Sequence, residues 1–419
     1  MTAHRPPHHL PATPETVHWG YFSHTLKPVL TLKSGERAVI ETITHHANDD
    51  HARMIAGDPA AEAIFRWTKE TKTLRRRGAG ATEPPFGAGS GEGLGVHLLT
   101  GPIAIEGAEP GDIIEVRVID MWPRPSANPA YAGRFFGSNP SANWGFQYND
   151  LIEEPKPREV VTIYELDMAE ASVKALYSYR WTPQTDPDGI VHPTIDYPGV
   201  PVDHATVTKR ENVLQGIRVP ARLHFGTMGL APAEVDFVST IPPNYTGGNM
   251  DDWRIAKGAR VYYPVAVAGG LFSCGDAHAA QGDSELSGTA IEISLTGEFE
   301  FVLHKKGALE GTILEGLNHP LLETEALWSV YGFSVPNYLT ELAPDPQAEI
   351  LKRSSLDAAM RDAFRKLRRF LMTAHGLSED EAISLMSVAA DFSVTQVVDA
   401  NWGVTGSIPK AVFAGRAAR

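Results

Sequence analysis

Apolar and polar residues alternate with a period of two along much of this chain. Ile114, Val116 and Val118 are separated by Glu115 and Arg117, and Ile291, Ile293 and Leu295 by Glu292 and Ser294. Phe299, Phe301 and Leu303 alternate with Glu298 and Glu300 in the same way. Successive side chains of an extended strand point to opposite faces, so the pattern demands half-buried β-strands. Runs at 28–32 and 38–44 flank Ser34-Gly35-Glu36 and predict a hairpin; 291–303, broken at Gly297, predicts a second. Further strands are expected at 98–119, 159–165, 213–219 and 261–268. Asp58-Pro59 has the form of an N-cap before a first-turn proline, opening a helix toward Arg76. Near the C-terminus the period changes. Leu356, Met360, Phe364, Leu367 and Leu371 recur every three or four residues, one helical stripe, and Ser378 with Glu381 has capping-box spacing. The fold class expected is mainly β with a helical C-terminal region.

The organisation expected is a flexible tail over 1–16, a β-rich core over 17–345, and a helical region over 346–419 that ends in a returning strand packed on the core. Two segments read as inserted loops. Residues 78–95 hold seven glycines and form either a surface connection or a flap over a site. Residues 121–150 carry Trp122, Tyr131, Phe135, Phe136, Trp144, Phe146 and Tyr148, either a packed surface loop or the apolar wall of a substrate pocket.

Composition narrows the function. A net charge of −14 argues against nucleic acid as a partner, because such proteins present basic surfaces to phosphates. Cys274 is the only cysteine, which excludes an intrachain disulfide and a cysteine zinc finger and fits a reducing, cytoplasmic compartment. The first fourteen residues lack the apolar run of a secretory signal, and no stretch of about 18 apolar residues would span a membrane.

Three polar clusters could carry chemistry. Residues 274–285 place Asp276, His278, Gln281, Asp283 and Glu285 between two apolar runs and read as a turn rich in metal-type ligands. Asp276 and His278, two apart, share a face if extended. Residues 44–51 hold His45, His46, Asn48, Asp49, Asp50 and His51, and Asn249 to Asp252 follow a double glycine. His18, His97 and His224 stand alone. Ser273 lacks a nucleophile elbow. Cys274 with His278 as base is a weaker nucleophilic alternative. The basic residues Arg361, Arg365, Lys366, Arg368 and Arg369 read as a solvated or intersubunit face.

The stretches Gly247-Gly248-Asn249-Met250-Asp251, Pro264-Val265-Ala266-Val267 and 271–285, with its Gly-Asp-x-His-Ala-x-Gln-Gly-Asp-x-Glu core, resemble the acetamidase/formamidase family. Segments 99–112, 226–232 and 399–413 resemble it too, so the resemblance covers about residues 17–413. The family's Trp-His-Pro-Asp entry is absent; His18-Trp19-Gly20-Tyr21-Phe22 stands there. The resemblance implies a sandwich-like β core with α+β parts, hydrolysis of a short amide to carboxylate and ammonia, and a homo-oligomer. For such a reaction a divalent metal, Zn²⁺ first and Ca²⁺ as a structural alternative, would activate water. Asp276 and His278 are the expected ligands, completed by His97 and Asp49. Glu285 is the expected general base and proton shuttle, Asn249 and Gln281 the groups that hydrogen-bond the substrate or oxyanion, and Asp251 the residue that orients a ligand histidine. The other readings are a Cys274-dependent amidase and a non-catalytic small-ligand-binding protein. Formamide, acetamide, a carbamate and a larger amide all fit as substrate.

Overall fold

The computed structural model describes residues 6–66, 95–142, 144–148, 151–153, 158–186, 189, 191–195 and 199–415. The glycine-rich segment 78–95 lies outside these residues apart from Gly95. Two large sheets dominate. One has nine strands in the order His8–Leu10, Arg37–Glu41, Leu295–His304, Ile113–Pro123, Arg260–Pro264, Leu321–Glu323, Leu327–Phe333, Gly403–Pro409, Asp391–Gln396. The other has twelve. Its central run is Val160–Asp167, Phe135–Ser141, Ile291–Ile293, Phe272–Ala280, His224–Gly229, Gly247–Asn249, and Leu98–Ile105 also pairs with Phe272–Ala280.

The two sheets bury one another. A single apolar cluster draws Phe225, Phe272 and Ile293 from the larger sheet and Ile40, Val116, Tyr263, Phe299 and Phe301 from the smaller. Phe225 meets Phe299 edge-on at 5.2 Å, and Phe272 meets Phe301 at 5.1 Å, across the gap. Ile114, Val116 and Val118 line this core as their alternation requires.

Neither expected hairpin forms. Leu30–Leu32 pairs in parallel with Leu98–Ile105, whereas Arg37–Glu41 pairs with Leu295–His304, so the turn at Gly35 carries the chain from one sheet to the other. Likewise Ile291–Ile293 pairs with Phe135–Ser141, and Leu295–His304 pairs with Ile113–Pro123; the chain changes sheet at Ser294. Gly297 lies inside a strand, and a Cβ there would sit 2.5 Å from the Phe299 ring, so aromatic packing and not a turn requires glycine. Alternation is the same for a hairpin and for a strand that switches sheets.

Other expectations shift locally. The 1–16 tail is tied down in part, since His8–Leu10 pairs in parallel with Ala38 to Ile40. Of 213–219 only Val219 enters a strand; Asn212 and Leu214 have left-handed backbones. The helix at Asp58 is capped as expected but ends at Ile64. Residues 121–150 are more regular than expected, with strands to Pro123 and over Phe135–Ser141.

The helical part is short. Leu356–His375 starts at the Ser355 cap and stops at Gly376, φ 61°. Its buried face is rotated from the apolar stripe: Met360 is exposed, while Ala359 and Ala363 are buried against Gly332. Small residues on both sides let the helix close on Leu327–Phe333. Glu379–Ala389 opens with the expected capping box of Ser378 and Glu381. The last two strands then join the nine-stranded sheet. Among the described residues no helix is long and apolar enough to cross a membrane.

Candidate active site

The first half of 274–285 is not a turn. Phe272–Ala280 is a central strand, buried at every position. It reads as a turn because it is polar and small, but those small residues admit close neighbours: a Cβ on Gly275 would lie 2.1 Å from the Leu98 carbonyl oxygen. Asp276 has φ 54°, a left-handed backbone that aspartate tolerates better than most residues. There the alternation slips by one. Phe272 and Cys274 before it and Ala277 and Ala279 after it belong to the apolar core. Asp276 and His278 are thereby turned to the other face, the shared face expected from their spacing.

Strand register assembles the rest. His224, His278 and Glu292 stand side by side on three adjacent strands. Asp251 and Glu285 also take left-handed backbones, φ 46° and 48°, and reach the same cluster from loops. Strain of this kind collects at functional sites. His45, His46 and His97 arrive from far upstream. Asp276 Oδ1 is 3.8 Å from His45 Nδ1 and 3.4 Å from His278 Nε2, and its Oδ2 is 3.6 Å from His97 Nε2. The Thr227 hydroxyl lies 3.0 Å from Asp276 Oδ2. His278 Nε2 also lies 3.3 Å from Glu292 Oε1.

Charge is unevenly held. Burial would raise the Asp276 pKa, but His97, His278 and His45 outweigh it and hold this carboxyl well below the usual range. Burial, then Asp276, pushes Asp251 up to about 7. Burial, then Asp251, pushes Glu285 well above its ordinary value, and Asp399 rises beside both. Crowded carboxylates cannot all ionise, so these three share protons. Burial and its histidine neighbours keep His45 neutral. Burial keeps His224 neutral, with a pKa of about 3. His224 Nδ1 donates to the Arg222 carbonyl at 2.6 Å, and its Nε2 lies 2.8 Å from Gln281 Oε1 and 3.0 Å from His278 Nδ1. His278 Nε2 is thus the atom turned to the carboxylates.

The donor set suits a cation. Among the described residues, His45 Nδ1 is buried with no hydrogen-bond partner, and His278 Nε2 faces the carboxylates of Asp276 and Glu292 at 3.4 and 3.3 Å. His45, His97 and Asp276 offer ligand atoms within 4.8 Å of one another, as do Asp251, Asp276 and His278. Below them Gly226 leaves a cradle: a Cβ would stand 2.3 Å from Asp251 Oδ1, 2.5 Å from His278 Cε1 and 2.8 Å from Asp276 Oδ2. These buried groups could hold a metal ion.

Asp276, His278, His97, Glu285 and Asp251 therefore come together. Asn249 lines the cavity, but its Oδ1 accepts from Thr227 at 2.6 Å and its Nδ2 donates to the Ile241 carbonyl at 3.2 Å. Gln281 lies behind His278, its Nε2 donating to the Asp251 carbonyl at 2.7 Å. Asp49 does not reach Asp276; it faces His46 Nδ1 at 3.2 Å and accepts from Ser138. Cys274 is fully buried in the sheet interface, away from the cavity lining, and burial pushes its thiol pKa up, which disfavours a thiolate there. His45, His46, Glu292 and Asp399 are the residues that the sequence did not single out as ligands or acids. The His-rich run was a signal for the first two.

The cluster floors a cavity of about 420 Å³, walled by Trp144, Trp402, Ile241, Leu351, Val397 and Val398.

The profile of the Acetamidase/Formamidase family matches residues 94–415. The chain belongs to that family. Among its relatives, an acetamidase of Mycolicibacterium smegmatis is 32% identical over 213 residues, 46% of this chain and 49% of the relative, so the match spans about half that protein's length. A formamidase of Methylophilus methylotrophus is 27% identical over 338 residues, 76% of this chain and 77% of the relative. The fold matches acetamidase structures from Yersinia enterocolitica (TM-score 0.64, 23% identity, 98% of this chain and 95% of that one) and Bacillus halodurans (0.62, 20%, 97% and 98%). In the segment 18–22, Trp19 and Tyr21 are fully buried.

Proposed function

We propose that this acetamidase/formamidase family member hydrolyses the C–N bond of a primary amide to carboxylate and ammonia, with water as the nucleophile. The observation that carries the reading is the convergence of Asp276 and three histidines beside the buried carboxyls of Asp251 and Glu285 at one cavity. Asp276, His45 and His97 would hold a divalent ion, Zn²⁺ by its mixed imidazole and carboxylate donors, with His278 and Asp251 on the other side of Asp276. Such an ion supplies Lewis acidity toward a carbonyl oxygen and lowers the pKa of water from 15.7 to about 7.

The chain's own groups do the proton work. Asp251 accepts a proton from the attacking water, and Glu285 gives one to the departing nitrogen; Asp399 beside them lets the proton pass between the two. The balance is amide plus water to carboxylic acid plus ammonia. His224 and Gln281 hold the His278 ring, and Asp49 holds His46, as positioning residues. Asn249 positions Thr227.

Elemental analysis beside an ammonia-release assay on formamide and acetamide tests the reading. Asp276→Asn is expected to lose bound metal and at least about 100-fold in kcat/KM together. Full turnover by metal-free protein would refute the metal role. No ammonia from any amide by metal-replete protein would refute the hydrolase.

A further inference from the structure

We infer that the apolar half of the cavity is built for an aromatic acyl group, so that the preferred amide resembles phenylacetamide rather than formamide or acetamide. The inference rests on the amide-hydrolase reading above and adds the substrate class. Acetamide has four non-hydrogen atoms and fills no more than about 120 Å³ at ~30 Å³ each, the volume of a liquid water molecule. The cavity offers about 420 Å³, within the range of sites that enclose much larger ligands. An acetamide held at Asp276 would leave part of the apolar wall without contacts.

That wall is aromatic and braced. Trp144 follows the strand Phe135–Ser141, and Trp402 joins the last two strands; both line the cavity. Trp144 stands over Gly288, φ 99°, where a Cβ would lie 2.8 Å from its Nε1. Trp402 packs edge-on with Phe146 at 5.7 Å. Two indoles held by independent contacts on one cavity wall give a flat ring aromatic surface to pack on with little ordering. Among the described lining residues there is no lysine or arginine, while Asp399, Glu285 and Glu292 are carboxylates. An acyl group ending in a carboxylate is therefore disfavoured, and an uncharged ring is accepted.

The test compares kcat/KM for acetamide, phenylacetamide and succinamate on metal-replete protein, with calorimetric binding of phenylacetamide in parallel. Phenylacetamide is expected to exceed acetamide at least about tenfold, the effect of roughly one well-packed methylene or more. Succinamate should not exceed acetamide. Trp402→Ala and, separately, Trp144→Ala should each lower the phenylacetamide-to-acetamide ratio several-fold; using two sites guards against one variant failing to fold. Turnover of acetamide with neither binding nor turnover of phenylacetamide overturns this inference and leaves amide hydrolysis standing. Binding of phenylacetamide without ammonia release from any of the three amides supports the aromatic wall and overturns the hydrolase; its binding without turnover beside turnover of acetamide overturns the substrate class alone. Absence of both binding and turnover overturns the two together.

Discussion

Gly226→Ala puts one methyl group into the cradle beneath the polar cluster. Gly226 has no left-handed backbone, so alanine meets no φ penalty and the effect is steric alone. The new Cβ would stand 2.3 Å from Asp251 Oδ1, against an ordinary contact of about 3.4 Å, so the carboxylate must retreat by about 1 Å. His278 and Asp276 are pressed at the same time. A displacement of about 1 Å at reacting groups costs on the order of 100-fold in rate, and 100-fold is about 2.7 kcal/mol of barrier. Overpacking a dense site costs roughly 1–3 kcal/mol of stability in addition. The assays are ammonia release on a small amide, metal content of the purified variant, and denaturant unfolding to confirm the fold. The expected result is a folded variant with about 100-fold lower kcat/KM and reduced metal. A folded variant with wild-type rate and full metal would show that Asp251, Asp276 and His278 do not act as one unit above Gly226.

Cys274→Ala should leave turnover within about twofold and cost about 1 kcal/mol of stability, since it removes a buried atom from the sheet interface and nothing from the cavity; a large loss of rate in a stable variant would restore the thiol mechanism. Burial, with Lys366 nearby, lowers His319 from 6.5 to about 3. The folded state therefore binds this proton less readily than the unfolded chain. The stability is fully present above pH 6.5 and is lost as pH falls toward 3, with about 2 kcal/mol gone by pH 5. His319→Gln should flatten the decline between pH 7 and pH 5 by that amount in denaturant unfolding, and an unchanged slope would contradict it.

What the amino-acid order reveals here is local. The alternation at Ile114 to Val118, the Ser378–Glu381 box and the spacing of Asp276 and His278 are set by neighbours within a few residues, and each is found in the fold. The switch of sheets at Ser294 is silent, because its two strands alternate like a hairpin. Glu292 reads as the solvent half of such a strand, yet it is buried: alternation separates two faces and does not say whether the polar one meets water or a cavity. The meeting of His45 with Asp276 joins distant segments and follows only from the packing of whole sheets. Asp49 looks like a ligand by composition, but the short helical turn Ala47–Asp50 aims it at His46. The slip at Asp276 depends on one left-handed residue that no periodicity announces.

The polar floor and the aromatic wall are anchored differently. Asp276 and His278 ride on a strand hydrogen-bonded along both edges, whereas Trp144, Leu351, Val397 and Trp402 hang from connecting segments. Loops accept substitution and insertion far more readily than central strands do. If the proposed amide hydrolysis holds, descent with change can reshape which acyl groups enter while the polar strand stays put, and an engineer seeking a new amide should randomise the rim and leave the strand alone.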